Sequence, residues 1–145
     1  MTGALKAFDT HLERGDGASP TEAFTKIAEI KSISGPGLSA DALDASNMAS
    51  PGGFREFIAG LRDGGEITLE INFIPAEATH KDASGGMLND YKTGAKGNWQ
   101  ISFPDSPTTK WVMPCIITGF EISAPVDDLL SASVTFKVAG QPTLA

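Results

Sequence analysis

The sequence predicts a mainly β (α+β) fold: two packed antiparallel β-sheets, sandwich- or barrel-like, with one flanking α-helix and a long loop. Three observations predict it. Apolar and polar residues alternate with period two in several separate stretches. Only one stretch has convincing helical spacing. Strands and helices do not alternate along the chain, which argues against a parallel α/β sheet. With 145 residues, the chain is read as a single domain, 1–145, large enough for a real core.

The elements follow in chain order. Residues 6–14 place Phe8, Thr10 and Leu12 on one face. Leu5, Phe8 and Leu12 also fit a short helix stripe, but the turn RGDGASP that follows favours a strand. Residues 24–33, FTKIAEIKSI, fit strand or helix, and as strands the two segments would pair as a hairpin. Residues 1–20 thus form an N-terminal arm or hairpin. Residues 34–65 carry SGPGLSA, ASPGG and RDGG with few apolar runs. They read as one long loop, too long for a mere connector.

Residues 66–73, EITLEINF, form the clearest strand. Ile67, Leu69, Ile71 and Phe73 point inward; Glu66, Thr68, Glu70 and Asn72 point outward. A helix is expected within 79–93. Thr79 and Asp82 have capping-box spacing, and Ala83, Met87, Leu88 and Tyr91 share a face. Gly94 stops it, and the Gly85–Gly86 pair can delay its start to Ser84.

Residues 98–103 alternate again, with Trp99, Ile101 and Phe103 inward and Asn98, Gln100 and Ser102 outward. A turn at 104–109 leads to 110–123, apolar on both faces. That marks a central strand or one that crosses between sheets, with Pro114 and Gly119 signalling a bulge or bend. Residues 131–138 bury Ala132, Val134, Phe136 and Val138. Residues 140–145 form a C-terminal arm.

Composition narrows the function. The formal net charge is −7, so the chain lacks the basic footprint of a nucleic-acid reader. A single cysteine, Cys115, excludes an intrachain disulfide. The N-terminal residues lack the apolar core of a signal peptide, and no apolar run is long enough to span a membrane. Synthesis in the cytoplasm is the expectation.

Chemical motifs are weak. Gly35–Ala40 matches the spacing of a dinucleotide fingerprint, with Glu56 downstream. Neither a buried parallel strand before it nor a helix after it is expected, so it reads as a turn. His11 with Glu13, and His80 with Asp82, could each begin a metal site, but neither pair has a visible third ligand. They read as solvated polar faces or cap neighbours. Cys115 lies in the apolar segment VMPCIITG with no nearby base and reads as a buried thiol. Asp127–Asp128, and Glu66 with Glu70, read as solvated acids. With no convergent nucleophile and base, no enzyme activity and no cofactor or metal are expected.

One order of pieces is more specific. SPGGFREFIAGLRDGGEITLEINFIP (50–75) is followed by the helix, then NWQISFPD (98–105), then ITGFEISAPVDDLLSASVTFKVAGQPTL (117–144). This order resembles the tail tube proteins, or major tail proteins, of bacteriophages with long non-contractile tails (siphoviruses), and their relatives in prophages and gene transfer agents. The resemblance runs from about Phe8 to Leu144.

The resemblance implies a tail-tube fold and a structural protein of the virion tail, made in the bacterial host cytoplasm. It implies self-assembly into hexameric rings stacked as a hollow tube around a tape-measure protein, with tail-tip and tail-terminator proteins as further partners. DNA would pass transiently and without sequence preference during ejection. The loop, at about 39–64, would contact neighbouring subunits and rings. Its expected interface residues are Ser50, Pro51, Gly52, Gly53, Phe54 and Arg55, with Phe54 the apolar anchor and Arg55 a charge partner. The acidic-polar face Glu66, Thr68, Glu70 and Asn72 would line the lumen, where it should repel phosphate. Two alternatives remain at this point: a tube protein of a type VI secretion or contractile-tail system, and a monomeric β-sandwich decoration or binding module.

Overall fold

Ten strands and one helix fill the computed structural model, which describes residues 3–17, 21–105 and 108–144. Parts of three expected segments lie outside the described residues: 1–2 and 18–20 of the N-terminal arm, 106–107 of the turn at 104–109, and 145 of the C-terminal arm. In chain order the strands are β1 (His11–Gly15), β2 (Phe24–Lys26), β3 (Ile30–Ser34), β4 (Ser39–Asp44), β5 (Phe57–Asp63), β6 (Glu66–Asn72), β7 (Gly97–Ser102), β8 (Lys110–Ser123), β9 (Ser131–Val138) and β10 (Thr143–Leu144). Helix α1 is Met87–Thr93. Two antiparallel sheets result: one of eight strands in the order β2-β1-β7-β8-β9-β6-β3, with β10 on β8, and one of two strands, β4-β5.

The large sheet closes on itself. Its two ends, β2 and β3, are consecutive in sequence and joined by only Ile27–Ala28–Glu29. The segment 24–33, expected as one element, is one kinked strand that pairs on both sides of a closed barrel. Ile27 N–H still donates to Leu12 O of β1 at 3.0 Å, while Asn72 N–H of β6 already donates to Glu29 O at 2.9 Å. The kink sits at Glu29, whose φ of 60° is in the left-handed region that non-glycine residues seldom occupy. Closure removes the open sheet edges that β proteins must otherwise protect.

A latch from another segment holds the kink. Ala28 N–H donates to Thr79 Oγ1 at 3.2 Å. His80 Nε2–H donates to Ala28 O at 2.8 Å, and its Nδ1 accepts from Ile74 N–H at 3.3 Å. Those two partners define the neutral Nε2–H tautomer. Both side chains are buried, and their bonds satisfy partly buried backbone groups of Ala28 and Ile74. Thr79 therefore does not cap the helix, and the helix is shorter than expected. It begins at Met87 after Gly86, and Ala83 and Tyr91 are exposed. Its end is as expected: Gly94, at φ 66°, donates to Asp90 O and Tyr91 O.

Two side chains tie α1 to the barrel. Met87 is fully buried, and Asp90 takes a two-pronged ion pair from Arg14 of β1, with Nε–Oδ2 at 2.6 Å and an Nη2–Oδ1 contact of 2.9 Å. The hydrogen bonds to Asp90 raise the Arg14 pKa above its ordinary value, against the opposing effect of burial.

Inside the barrel the alternating residues form the core: Leu12, Ile67, Leu69, Ile71, Trp99, Ile101, Val134 and Phe136 are all buried. Phe136 packs on Trp99 with ring centroids 4.7 Å apart. Strand β8 is shared: residues 110–115 pair with β7 and residues 115–123 with β9. The bulge falls between Ile117 and Gly119.

Three further expectations fail. Phe8 is exposed, because Thr10 N–H closes a turn on Ala7 O before β1 begins. Gln100 and Ser102 are buried rather than solvated. Gln100 lies opposite Glu13 on β1 and donates to its carboxylate at 2.6 Å, so neighbouring side chains replace water. The third concerns 34–65. It is not a plain loop: it folds as the β4–β5 hairpin, with a 3-10 turn at Pro51–Gly53 near its tip.

Candidate functional site

Among the described residues no metal-ligating cluster gathers and the cavities are open to solvent, so the features open to function are surfaces. The first is the polar face of the barrel. Glu66, Thr68, Glu70 and Asn72 share the outer face of β6, as alternation requires. Glu66 and Glu70 are exposed; Thr68 and Asn72 are half-buried. Register extends this face across four strands. Glu70 lies between Ser32 of β3 and Ser133 of β9, and Ser133 lies opposite Glu121 of β8. Thr68 lies between Ser34 and Thr135; Asn72 lies beside Ser131, itself opposite Ser123. From Thr68 to Asn72 these rows contain hydroxyls, an amide and carboxylates, with no large apolar side chain. Lys137, opposite Glu66, is engaged by Asp63 at 3.1 and 3.2 Å. Lys31 borders the face beside Glu70 and Glu121.

The second surface is the hairpin. No residue of β4 or β5 is buried. Yet the hairpin carries Leu43, Met48, Phe54, Phe57, Ile58 and Leu61, all exposed, with Phe54 at 78% and Leu61 at 85% of full exposure. Such a density of bare apolar side chains makes the hairpin a candidate interaction surface.

Its tip is built locally. Pro51 opens the turn, Gly52 and Gly53 take φ values of 63° and 74°, and Phe54 N–H donates to Pro51 O. Ser50 Oγ donates to the Glu56 carboxylate at 3.0 Å and accepts from Asn47 N–H at 3.0 Å. The Ser46 hydroxyl and N–H hold Asp44 below its ordinary pKa. The polar groups therefore satisfy one another, and Phe54 and Arg55 project. The six residues Ser50, Pro51, Gly52, Gly53, Phe54 and Arg55 do come together, on a different sheet from Glu66–Asn72.

Sequence reasoning missed two surfaces. One is the β8–β9 connection, where Val126 and Leu129 are exposed beside Asp127 and Asp128. Its unbroken run V-D-D-L-L was the available signal. The other is an open groove of about 1350 Å³ between the base of the β4–β5 hairpin and residues 138–142. No local pattern announces a groove between segments so distant in sequence.

The weaker motifs resolve plainly. The Gly35–Ala40 turn leads into strand β4, not a helix. His80 is a buried latch, not a solvated side chain, and Asp82 instead pairs with Lys92 at 2.9 Å. His11 and Glu13 stand 3.9 Å apart. Among the described residues, no three His, Cys, Asp or Glu side chains gather as metal ligands. Burial pushes the Cys115 thiol up to about 12, so it stays protonated at neutral pH.

Comparison with known proteins adds identity to this geometry. The family model described as lambda phage tail tube protein matches residues 8–145. No curated protein sequence matches at a significant level. Among solved structures, the tail of an empty gene transfer agent particle, refined with C6 helical symmetry, matches with a TM-score of 0.72 at 22% identity, covering 98% of this chain and 99% of that one. A chain from the sheath/tube terminator of the PVC extracellular contractile injection system matches with a TM-score of 0.72 at 16% identity, covering 100% and 99%. The SPP1 tail tube gives 0.71 at 12% identity, covering 97% and 78%. At these identities the structural likenesses establish the fold.

Proposed function

The chain belongs to the lambda phage tail tube protein family, and from that premise we propose how its surfaces build a tube. It is a structural component of the virion tail. Its copies form sixfold rings that stack into a hollow cylinder. One observation carries the assembly: the β4–β5 hairpin buries none of its side chains within its own chain. A lone two-stranded hairpin is marginal in water, so it gains its packing from a neighbour. Phe54 is the apolar anchor and Arg55 the charge partner, presented on the tip Ser50–Gly53. Ring number is supported by the C6 symmetry of the similar gene transfer agent tail.

The polar face Glu66, Thr68, Glu70 and Asn72, widened by its β3, β8 and β9 neighbours, lines the bore. A surface of small hydroxyls and carboxylates offers phosphate neither a cation cluster nor an apolar foothold, so DNA slides without being held. A tape-measure protein occupies the bore before DNA does, and terminator and tip proteins close the ends. The work is assembly and passage, without a reaction step.

The contractile alternative shares this fold, as the injection-system match shows; the family match favours the lambda-type tail. The test is direct. Purified protein is concentrated and followed by light scattering and negative-stain microscopy. Hollow tubes of uniform width are expected. A copy number of subunits per ring other than six, or Glu70 on the outer wall in a cryo-EM map, would overturn the corresponding part.

A further inference from the structure

The two surfaces that the sequence did not announce lie at opposite ends of the same strands. Residues 124–130 connect β8 to β9 at one end, and every one of them is exposed. Val126 is wholly bare and Leu129 is 65% exposed. Leu129 N–H donates to Asp128 Oδ1 at 2.7 Å, which shapes the turn. Asp127 pairs with no cation among the described residues. The tip is thus an apolar knob with a negative charge on it.

Strand β9 runs from Ser131, beside that knob, to Val138, which lines the groove. At about 3.3 Å per residue this separates the two by roughly 23 Å. A knob on a paired, hydrogen-bonded hairpin cannot fold back that far into its own groove. The groove is lined by Leu38, Leu61, Trp111, Val138 and Pro142, with Arg62 on its wall. Two carboxylates also line it: Asp63 is engaged by Lys137, Asp41 stands on the β4 side, and Arg62 pairs with neither among the described residues. At about 1350 Å³, it exceeds the roughly 300–1,000 Å³ usual for small-molecule pockets, which suits a stretch of polypeptide.

We propose that the 124–130 tip of one copy seats in this groove of a second copy, with Val126 and Leu129 on the apolar floor and Asp127 against Arg62. A knob and a socket at opposite ends of one subunit make a heterologous contact, which repeats from copy to copy. The inference rests on the tube reading, since it takes the second copy to be a neighbour in one assembly. It adds a contact distinct from the β4–β5 tip, and it gives the stack a direction.

Site-directed disulfide linking tests it. Leu61→Cys and Val126→Cys change two exposed side chains, and the native Cys115 is buried, so folding and background linking are not obstacles. The doubly substituted chain is concentrated, oxidised with oxidised glutathione, and run on a non-reducing gel beside each single variant. A ladder of trimers and higher multimers is expected from the double variant. A linked dimer is expected from an equimolar mixture of the two single variants but from neither alone, since only a 61–126 link joins the mixed pair. Absence of the ladder overturns the contact, whether or not tubes form.

The same samples are viewed by microscopy, which judges the tube reading separately. Tubes without a ladder remove the knob-and-groove contact and keep the tube. A ladder without tubes keeps the contact and counts against the tube. As a second measurement, Arg62→Glu is expected to raise the concentration needed for assembly about tenfold, and Asp127→Arg in the same chain to restore it. Failure of the reversed pair to restore assembly, with Arg62→Glu still folded, would also overturn the proposal.

Discussion

The barrel and the β4–β5 hairpin are built from similar strands, yet they spend their apolar residues in opposite ways. In β9 every second residue is buried, and the strand is bonded on both sides. In β5, seven residues long, the strand pairs on one side only, with β4, and none of its residues is buried. Burial of a large apolar side chain contributes about 1.5–3 kcal/mol. The barrel collects that contribution within one chain, whereas the hairpin leaves it uncollected until another chain arrives. On the function proposed above, the barrel is the part that folds and the hairpin the part that assembles. The helix side follows the barrel: its ion pair and its latch are internal.

The largest effect should come from the barrel core. Phe136→Ala removes a fully buried ring packed at a tilt against Trp99. A loss of about 3–5 kcal/mol is expected in urea unfolding of the unassembled chain. A loss under about 1 kcal/mol would mean that the barrel is not the stabilising unit.

Next comes the link between α1 and β1. Asp90→Ala strands the Arg14 guanidinium, which is partly buried. The expected cost is about 2–3 kcal/mol, somewhat below the 3–5 kcal/mol typical of fully buried pairs. The double-mutant cycle with Arg14→Met measures the coupling.

The hairpin should behave otherwise. Replacing both Phe54 and Leu61 by Ser is expected to shift unfolding stability by no more than about 0.5 kcal/mol, while abolishing tubes in the microscope. This is the sharpest test of the contrast. A destabilisation comparable to that of Phe136→Ala would show that the hairpin packs on its own chain, and the distinction between the regions would fall.

The smallest effect concerns acid. Asp63, at the hairpin base, is held below its ordinary pKa of 3.8 by Gly65 N–H and then by Lys137. Because the folded value is depressed, its contribution is complete above about pH 3.8 and is lost as pH falls through the lower, folded value. The thermal midpoint of Asp63→Asn should therefore fall less steeply on acidification below pH 4 than that of the native chain. Parallel acid limbs would remove Asp63 from the hairpin's anchorage.

How much of this was legible beforehand varies with the residues. Strands β6 and β9 were readable because each has one wet and one dry face, so their alternation is strict. Gln100 and Ser102 misled, because a strand between two others can bury polar residues, as β7 does between β1 and β8, where Glu13 satisfies Gln100. The helix start misled as well: Thr79 has cap spacing, but its hydroxyl serves Ala28, 51 residues away in sequence. The tip residues Ser50–Arg55 were found as a group through family resemblance. The strands that carry them were not found, since an all-exposed hairpin has no dry face to impose a period.

By itself, the sequence determined where β6, β7, β8 and β9 lie, which faces of β6 and β9 are dry, where α1 stops, and the family to which the chain belongs. Those follow from nearest-neighbour chemistry: period, turn residues, charge and order of motifs. Only the tertiary structure decided that 24–33 kinks to close a barrel, that His80 and Thr79 latch it, and that a knob and a groove stand at opposite ends of β9. Each of these joins groups far apart along the chain, and such contacts form because the closed fold brings them together.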